Sequence, residues 1–247
     1  MSVAPDDRGF LYGDALFETV AVRDGRVRWL NRHLKRLRRS GAALGFPDSI
    51  LRTALDKLEH MPTRADGLWR VTVSRPGSEV PFGGSGSVMM RRRPLPVRVP
   101  PRLTTMRGWY WPGDPLAEHK TTSWLRWAEA RRRAMYEGFD DALLLSARGR
   151  LGEATAAAAL VVVDGVWCVP PLRSLLRSVT RAGVVAEAEA RGRLLLVRDL
   201  GERELARATE VVLLSAGVGA VAAASLNGRV LRDEAATEIA GWLTECT

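Results

Sequence analysis

Ala117-Glu118-His119-Lys120-Thr121-Thr122-Ser123-Trp124 is the stretch around which the rest of the sequence can be ordered. Its lysine is unusual, because only three of the 37 basic residues are lysines. A lysine in so arginine-rich a chain fits a role that needs a primary amine, such as forming a Schiff base. The other two lysines, Lys35 and Lys57, are predicted to lie on solvent-exposed faces of helices, which accounts for them without a special role. Lys120 follows a segment rich in proline and glycine and is predicted to open a helix, a junction where functional side chains are often displayed.

The composition indicates a globular chain without a membrane-spanning segment. Of the 247 residues, 46% are hydrophobic and 26% are charged, which is ordinary for a globular protein. No stretch approaches the roughly 20 apolar residues of a membrane span, and the N-terminus lacks the apolar core of a signal peptide. Cys168 and Cys246 are too few for a disulfide framework, so we expect a cytoplasmic protein with free thiols.

The formal net charge of +9 is compatible with anionic small molecules, acidic lipid or nucleic acid as partners. The basic clusters at 35–39, 91–93 and 131–133 are scattered and have few aromatic residues between them. Two of them fall in predicted helices, where a solvated face explains them, so we predict neither a nucleic-acid nor a membrane partner. The three histidines are isolated and no Cys/His cluster occurs, so no metal site is predicted.

The order of predicted elements indicates an α/β (α+β) fold with two domains. Strand and hairpin signals at 16–30 precede two amphipathic helices, 31–44 and 50–60, and a strand at 67–74. A connection between domains is predicted at a segment rich in glycine and proline, Gly108-Trp109-Tyr110-Trp111-Pro112-Gly113-Asp114-Pro115. We therefore predict an N-terminal domain at 1–107, a connection at 108–116 and a C-terminal domain at 117–247, in which short strands alternate with helices.

Two fragments of the C-terminal part have both a functional and a structural interpretation. Glu153 precedes an apolar strand, where an acid is usually a solvated turn residue. If buried, it could instead face a pyridinium nitrogen and keep it protonated, which lets a pyridoxal ring act as an electron sink. Ser178-Val179-Thr180-Arg181 opens a predicted helix. The fragment is either an ordinary capped helix start or a phosphate site made from free N–H groups and the Thr180 hydroxyl.

Taken together, these features resemble the fold-type IV pyridoxal-phosphate enzymes, which include branched-chain and D-amino-acid aminotransferases and aminodeoxychorismate lyases. The resemblance begins at Asp7-Arg8-Gly9-Phe10-Leu11-Tyr12-Gly13-Asp14 and continues through Leu16-Phe17-Glu18-Thr19. The block His33-Leu34-Lys35-Arg36-Leu37, with Ser40, is similar to the family's first-helix motif. Glu210-Val211-Val212-Leu213-Leu214-Ser215-Ala216 resembles the late strand that completes the phosphate site.

The resemblance implies a site for pyridoxal 5'-phosphate (PLP). It assigns the Schiff-base lysine to Lys120 and the partner of the pyridine nitrogen to Glu153. The phosphate contacts fall on residues of the first helix, the later helix start and the late strand: Arg36, Val179, Thr180, Ser215 and Ala216. It also implies a small α/β N-terminal domain, a larger C-terminal domain with a barrel-like sheet, the cofactor between them, and a homodimer.

The sequence departs from the family pattern at several positions. Fewer residues than usual precede Asp7, and Ala158 stands where an asparagine is usual. Trp124 stands where a tyrosine usually follows the lysine, and its indole has no acceptor for a hydrogen bond. Arg177 and Ser178 replace an expected glycine and proline. These departures bear on substrate specificity more than on the cofactor.

Lys120-Thr121-Thr122-Ser123 followed by an aromatic residue is most similar to the lyase branch of the family. The resemblance thus implies a 4-amino-4-deoxychorismate lyase, which releases pyruvate and forms 4-aminobenzoate for folate biosynthesis. Its small anionic amino-group substrate would suit the positive charge, with Arg75 as a candidate carboxylate partner and Trp124 as a candidate substrate contact. An aminotransferase acting on D-amino or branched-chain amino acids is the alternative. A relative that binds a ligand without catalysis also stays open.

Overall fold

The computed structural model describes residues 3–78 and 83–245. The chain forms two compact units, Met1–Pro96 with His119–Trp124 and Val97–Glu118 with Leu125–Thr247. In the part of the chain described, no helix is long and apolar enough to cross a membrane.

The first unit is a four-stranded antiparallel sheet with two helices on one face. Its elements are α1 (Arg8–Tyr12), β1 (Ala15–Arg23), β2 (Arg26–Val27), α2 (Leu30–Ala43), α3 (Asp48–Glu59), β3 (Gly67–Ser74) and β4 (Val88–Arg93), and the sheet order is β2-β1-β3-β4. The predicted hairpin is present, with positive φ angles of 51° at Asp24 and 72° at Gly25. These angles suit the primed turns that match the twist of paired strands.

Successive side chains along β1 and β3 point alternately to the two faces of this sheet. Leu16, Val20, Val71 and Val73 are buried in one core cluster with apolar residues of α2 and α3. Helix α2 begins one residue before the predicted cap at Asn31, because Trp29 turns the chain with a φ of 55°. The residues between those core positions point to the other face of the sheet.

The second unit contains two five-stranded sheets. Its elements are β5 (Arg102–Arg107), α4 (Leu125–Tyr136), β6 (Asp141–Leu145), β7 (Leu151–Ala154), β8 (Ala158–Val163), β9 (Val166–Val169), α5 (Val179–Ala190), β10 (Leu195–Val197), α6 (Glu202–Arg207), β11 (Glu210–Ser215), β12 (Gly219–Ala222), β13 (Ser225–Leu226), β14 (Arg229–Val230) and α7 (Glu234–Glu245). The sheet orders are β14-β13-β5-β6-β7 and β10-β9-β8-β11-β12. One core cluster draws on both sheets, with Leu103 and Leu143 from the first and Val161 and Val211 from the second. This shared core is the barrel-like part of the fold.

The two units are bounded differently from the predicted domains 1–107 and 117–247. Strand β5 falls in the second unit, because it runs parallel to β6 from Leu103 opposite Asp141 to Arg107 opposite Leu145. Residues 119–124 fall in the first unit, because they hydrogen-bond to the start of β1. Both ranges make their contacts with residues distant in sequence, which local pattern does not reveal.

Candidate active site

Lys120 lies in an extended segment that adds to the edge of the first sheet. The Phe17 amide donates to the Lys120 carbonyl at 2.9 Å, and the Thr122 amide donates to the Ala15 carbonyl at 2.9 Å. The expectation that Lys120 opens a helix is wrong, because α4 begins only at Leu125. The strand-like pairing instead fixes the lysine backbone and places its Nζ 4.4 Å from the centroid of the Phe17 ring.

The hydroxyl groups that come after the lysine anchor this segment to the turn after α1. Thr122 Oγ1 and Ser123 Oγ both donate to the Gly13 carbonyl, at 3.0 and 3.1 Å. Gly13 ends α1 with a φ of 67°, and a Cβ at this position would meet Ser123 Oγ at 2.5 Å. A glycine is required there for both reasons. Trp124 follows as an exposed residue whose amide donates to the Thr122 carbonyl at 2.7 Å.

Arg36 is part of a buried ionic network between β1 and α2. Its Nε donates to Glu18 Oε1 at 2.7 Å and its Nη2 donates to Oε2 at 2.6 Å. His33 Nδ1 lies 2.7 Å from the same Oε2. Burial alone would raise the pKa of Glu18, but the charge and hydrogen bonds of Arg36 and His33 outweigh it and lower that pKa to about 2. The carboxylate therefore stays ionised and orients the guanidinium.

Helix α2 also contacts the lysine segment directly. His119 Nδ1 lies 3.0 Å from Ser40 Oγ, one turn beyond Arg36 on the same helix. The face of α2 that carries the arginine is thus tied to the residue before Lys120. Lys120 and Arg36, both predicted from the sequence, are brought into one framework of β1, α2 and the segment 119–124.

Arg75 is held by groups of the first unit. Its Nε and Nη2 donate to the Asp14 carboxylate, the latter at 2.7 Å, and its Nη1 donates to the Leu44 carbonyl at 2.6 Å. Arg8 shares the same carboxylate at 2.8 Å. Because all three Arg75 nitrogens donate to internal acceptors, the structure gives this residue a role in tying β3 to the start of β1. Its predicted contact with substrate stays a prediction.

Glu153 lies on β7 in the second unit and is partly buried. The indole Nε1 of Trp127, in the first turns of α4, donates to Glu153 Oε1 at 3.0 Å. The backbone at Gly152 lies against Tyr110, because a Cβ there would meet the ring at 2.6 Å. The interpretation of Glu153 as a solvated turn residue is therefore wrong. The carboxylate is held in a defined orientation by an aromatic donor.

The predicted phosphate contacts of the second unit lie at the start of α5 and the end of β11. Ser178 caps α5, and its Oγ accepts from the Arg181 amide at 3.2 Å. The amides of Val179 and Thr180 belong to the first turn, where N–H groups have no acceptor within the helix and the helix dipole favours an anion. Ser215 ends β11 and Ala216 follows in a turn.

These residues match the chemical groups of PLP. A primary amine suits its aldehyde, a carboxylate suits its ring nitrogen, and a guanidinium with helix N-terminal amides suits its phosphate. Lys120 and Arg36 belong to the first unit, and Glu153, Val179, Thr180, Ser215 and Ala216 belong to the second. Among the described residues, no group of three or more His, Cys, Asp or Glu side chains could hold a metal ion.

The sequence alone does not reveal the roles of three residues, Glu18 and His33 in the first unit and Trp127 in the second. Glu18 and His33 stand in the motifs quoted above without a role of their own, although together they fix Arg36. Glu18 is the one acidic residue in a mostly apolar strand, and this is the signal that the sequence offers. Trp127 had no such signal, because its contact with Glu153 depends on how α4 packs on the sheet.

Comparison with known proteins finds a matching family model and several similar proteins. The family model for class IV amino-transferases matches residues 15–226. A putative branched-chain-amino-acid aminotransferase of Methanocaldococcus jannaschii is 27% identical over 97% of this chain and 88% of its own length. A bifunctional aminodeoxychorismate lyase/D-amino acid transaminase of Mycobacterium tuberculosis is 27% identical over 92% of this chain and 86% of its own.

Solved structures of similar fold include proteins of the same two kinds, lyases and aminotransferases. The 4-amino-4-deoxychorismate lyase of Pseudomonas aeruginosa has a TM-score of 0.82 and 29% identity, covering 99% of this chain and 95% of that one. A PLP-bound hypothetical aminotransferase of Mycobacterium tuberculosis has a TM-score of 0.83 and 24% identity, covering 100% of this chain and 93% of that one. The fold-type IV architecture expected from the sequence is confirmed.

Proposed function

This chain belongs to the class IV aminotransferase family, whose cofactor is PLP, and we propose that within it the protein is a 4-amino-4-deoxychorismate lyase. The observation that carries the proposal is the 29% identity with the Pseudomonas aeruginosa lyase over almost the full length of both chains. The sequence Lys120-Thr121-Thr122-Ser123 and the net charge of +9 support it. An aminotransferase is the second candidate, favoured by the relative from Methanocaldococcus jannaschii.

The residues that would hold PLP each contact a different chemical group of the cofactor. Arg36, oriented by Glu18, and the N-terminal amides of α5 would bind the phosphate together with the turn after β11. Glu153, oriented by Trp127, would hold a proton at the pyridine nitrogen. When bound, PLP supplies an aldehyde that takes up the substrate amine and a ring that withdraws electrons from the neighbouring carbon.

Lys120 is the group assigned to proton transfer. Its amine, once neutral, would take the proton from the amine-bearing carbon of the substrate. In the lyase reaction the adjacent C–O bond then breaks, and the enolpyruvyl group leaves and is protonated to pyruvate. The ring becomes aromatic as 4-aminobenzoate. In the aminotransferase reaction the same Lys120 amine would deliver that proton again without the loss of a leaving group. Bound PLP would supply the acceptor for the amino group, and water would release the keto acid.

A cofactor titration tests the assignment of Lys120. Purified protein loaded with PLP should show the visible absorption band of the bound cofactor, and Lys120→Ala should lose it. Lys57→Ala is the matched control, because it removes a lysine from the last turn of α3 and should keep the band. A wild-type protein that takes up no PLP, or a Lys120→Ala variant that keeps the wild-type spectrum, would refute the cofactor argument.

Product analysis separates the two reactions. The lyase assignment predicts equimolar pyruvate and 4-aminobenzoate from aminodeoxychorismate, with slow turnover of D-alanine and branched-chain amino acids. Rapid formation of keto acids from those amino acids, with no 4-aminobenzoate formed from aminodeoxychorismate, would favour the aminotransferase and refute the lyase assignment. As the resemblance implies, we further propose a homodimer, which light scattering on the purified protein tests.

A further inference from the structure

The outer face of the first sheet, on the side away from α2 and α3, carries an arginine cluster. In the observed register Arg70 of β3 lies directly between Thr19 of β1 and Arg91 of β4. Directly opposed residues share a face, and residues two apart along a strand do so as well. Arg93 is therefore on this face too. We call Arg70, Arg91 and Arg93 the outer arginine cluster.

The arginine between Arg91 and Arg93 lies on the opposite face. Arg92 is paired with Trp69, which packs against the core beneath the helices. Its Nη2 donates to the Asp66 carbonyl at the end of the sheet. The run 91–93, a scattered basic cluster in the sequence, is thus divided by the strand into two outward arginines and one on the helix side.

The outer arginine cluster lacks internal charge compensation. Within residues 3–78 and 83–245, no carboxylate pairs with its three members, and the hydrogen bond of Arg70 runs from Nε to Thr72 Oγ1 at 3.2 Å. Burial and then the charge of Arg93 lower the pKa of the Arg70 guanidinium. Like charges directly opposite on a sheet are destabilising. By contrast, Arg36 and Arg75 of the same unit both hold carboxylates.

The cluster adjoins the candidate catalytic lysine through one aromatic ring. Arg70 Cζ lies 3.5 Å from the centroid of Phe17, and Lys120 Nζ lies 4.4 Å from the same centroid. Arg91 is one strand beyond Arg70, so the cluster extends roughly 10 Å, two strand spacings, from β1. This distance is comparable with the length of a small dicarboxylate whose reacting end lies near Lys120.

We propose that Arg91 and Arg93, beside Arg70, form an anion subsite that binds a carboxylate of the substrate remote from the reacting amine. Paired guanidinium groups bind carboxylates through charge-assisted, bidentate hydrogen bonds. The ligand class is an amino or keto compound with a second carboxylate, as aminodeoxychorismate has. The inference rests on the proposed function only in taking Lys120 as the reacting amine.

A pair of ligands that differ by one charge tests the subsite. Isothermal calorimetry on PLP-loaded protein compares benzene-1,3-dicarboxylate with its monoamide, which has nearly the same shape. The wild type should prefer the dicarboxylate. The double variant Arg91→Gln/Arg93→Gln should lose about tenfold or more of that preference and keep its affinity for the monoamide. Arg92→Gln is the matched control and should behave as wild type.

Three outcomes would overturn the proposal: no preference in the wild type, an unchanged preference in the double variant, or an equal loss in Arg92→Gln. The last would indicate a general effect of surface charge. Calorimetry measures ligand binding without turnover. The anion subsite and the lyase assignment can therefore be refuted independently of each other. A normal visible band without ligand preference refutes the subsite alone. A ligand preference without 4-aminobenzoate formation refutes the lyase assignment alone.

Discussion

Glu18→Gln should destabilise the protein strongly, because it removes the charge that compensates Arg36. The Glu18 side chain is 1% exposed and accepts both guanidinium bonds of Arg36, while His33 shares one of its oxygens. Glutamine has nearly the same shape, but its NH₂ group would face donors instead of accepting from them. The substitution therefore removes one of the two Glu18 oxygens that accept from the buried Arg36 guanidinium and makes the remaining one neutral.

The magnitude can be worked from the pKa of Glu18. That pKa lies at about 2 instead of its ordinary 4.5. At ~1.4 kcal/mol for each pH unit, the difference corresponds to roughly 3–4 kcal/mol of stability at neutral pH. This figure agrees with the roughly 3–5 kcal/mol typical of breaking a buried ion pair. For a chain of this length, the melting temperature should fall by roughly 6 to 16 °C.

The pH dependence has a defined sign. Because the pKa of Glu18 is lower in the folded state, its contribution is complete above pH 4.5 and is lost as the pH falls towards 2. The gap in unfolding free energy between wild type and Glu18→Gln should therefore be largest near pH 7. It should narrow progressively below pH 4.5, because the wild type loses this contribution and the variant has none to lose.

Urea unfolding of the two proteins at pH 7 and at pH 3 measures this gap. Glu59→Gln is the control, because Glu59 pairs with Arg38 of α2 at 2.9 Å on the protein surface. Exposed pairs contribute less than about 1 kcal/mol, so this variant should remain close to wild type. Equal stability of wild type and Glu18→Gln at pH 7, or a gap that does not change with pH, would refute the reasoning.

Three further variants test separate contacts. Trp127→Phe removes the donor to Glu153 and should weaken PLP binding by about tenfold, the value of one hydrogen bond to a charged group, in a cofactor titration; unchanged affinity would show that the contact does not orient the carboxylate. Gly41→Ala places a Cβ 2.5 Å from Leu51 Cδ2 and should cost about 1–3 kcal/mol in urea unfolding through overpacking between α2 and α3. Arg75→Ala should lower the unfolding free energy by about 1.5–3 kcal/mol, because the Leu44 carbonyl and the Asp14 carboxylate each lose a donor; a raised KM without a change in stability would instead support the substrate role.

Local signals in the sequence predicted the parts of the fold that are determined locally. The hairpin at Asp24-Gly25 has the positive φ angles that this dipeptide favours. Ser178 caps α5 as its side chain and position indicate. The strand predicted at 67–74 is β3 with the same bounds. In each case, the residues that determine the structure lie within a few positions of one another.

The features missed from the sequence depend on contacts between distant segments. Lys120 does not open a helix, because Thr121 pairs with Leu16, more than one hundred residues earlier. β5 joins the second unit because β6, which comes about forty residues later, offers it a parallel edge. Glu18 acquires its role only when α2 packs on β1 and brings Arg36 to it. Pattern along the chain does not encode these pairings.

The lyase and the aminotransferase require the same residues for the first proton transfer. Lys120 would take the proton from the amine-bearing carbon in both, and Glu153 and Arg36 would hold the cofactor in both. The substrate determines the next step, because elimination needs a leaving group on the adjacent carbon and proton return does not. With these residues in the proposed roles, the choice of substrate would decide which reaction takes place. Side chains that contact the remote part of the substrate, as proposed for Arg91 and Arg93, consequently bear more directly on its function than the cofactor residues do.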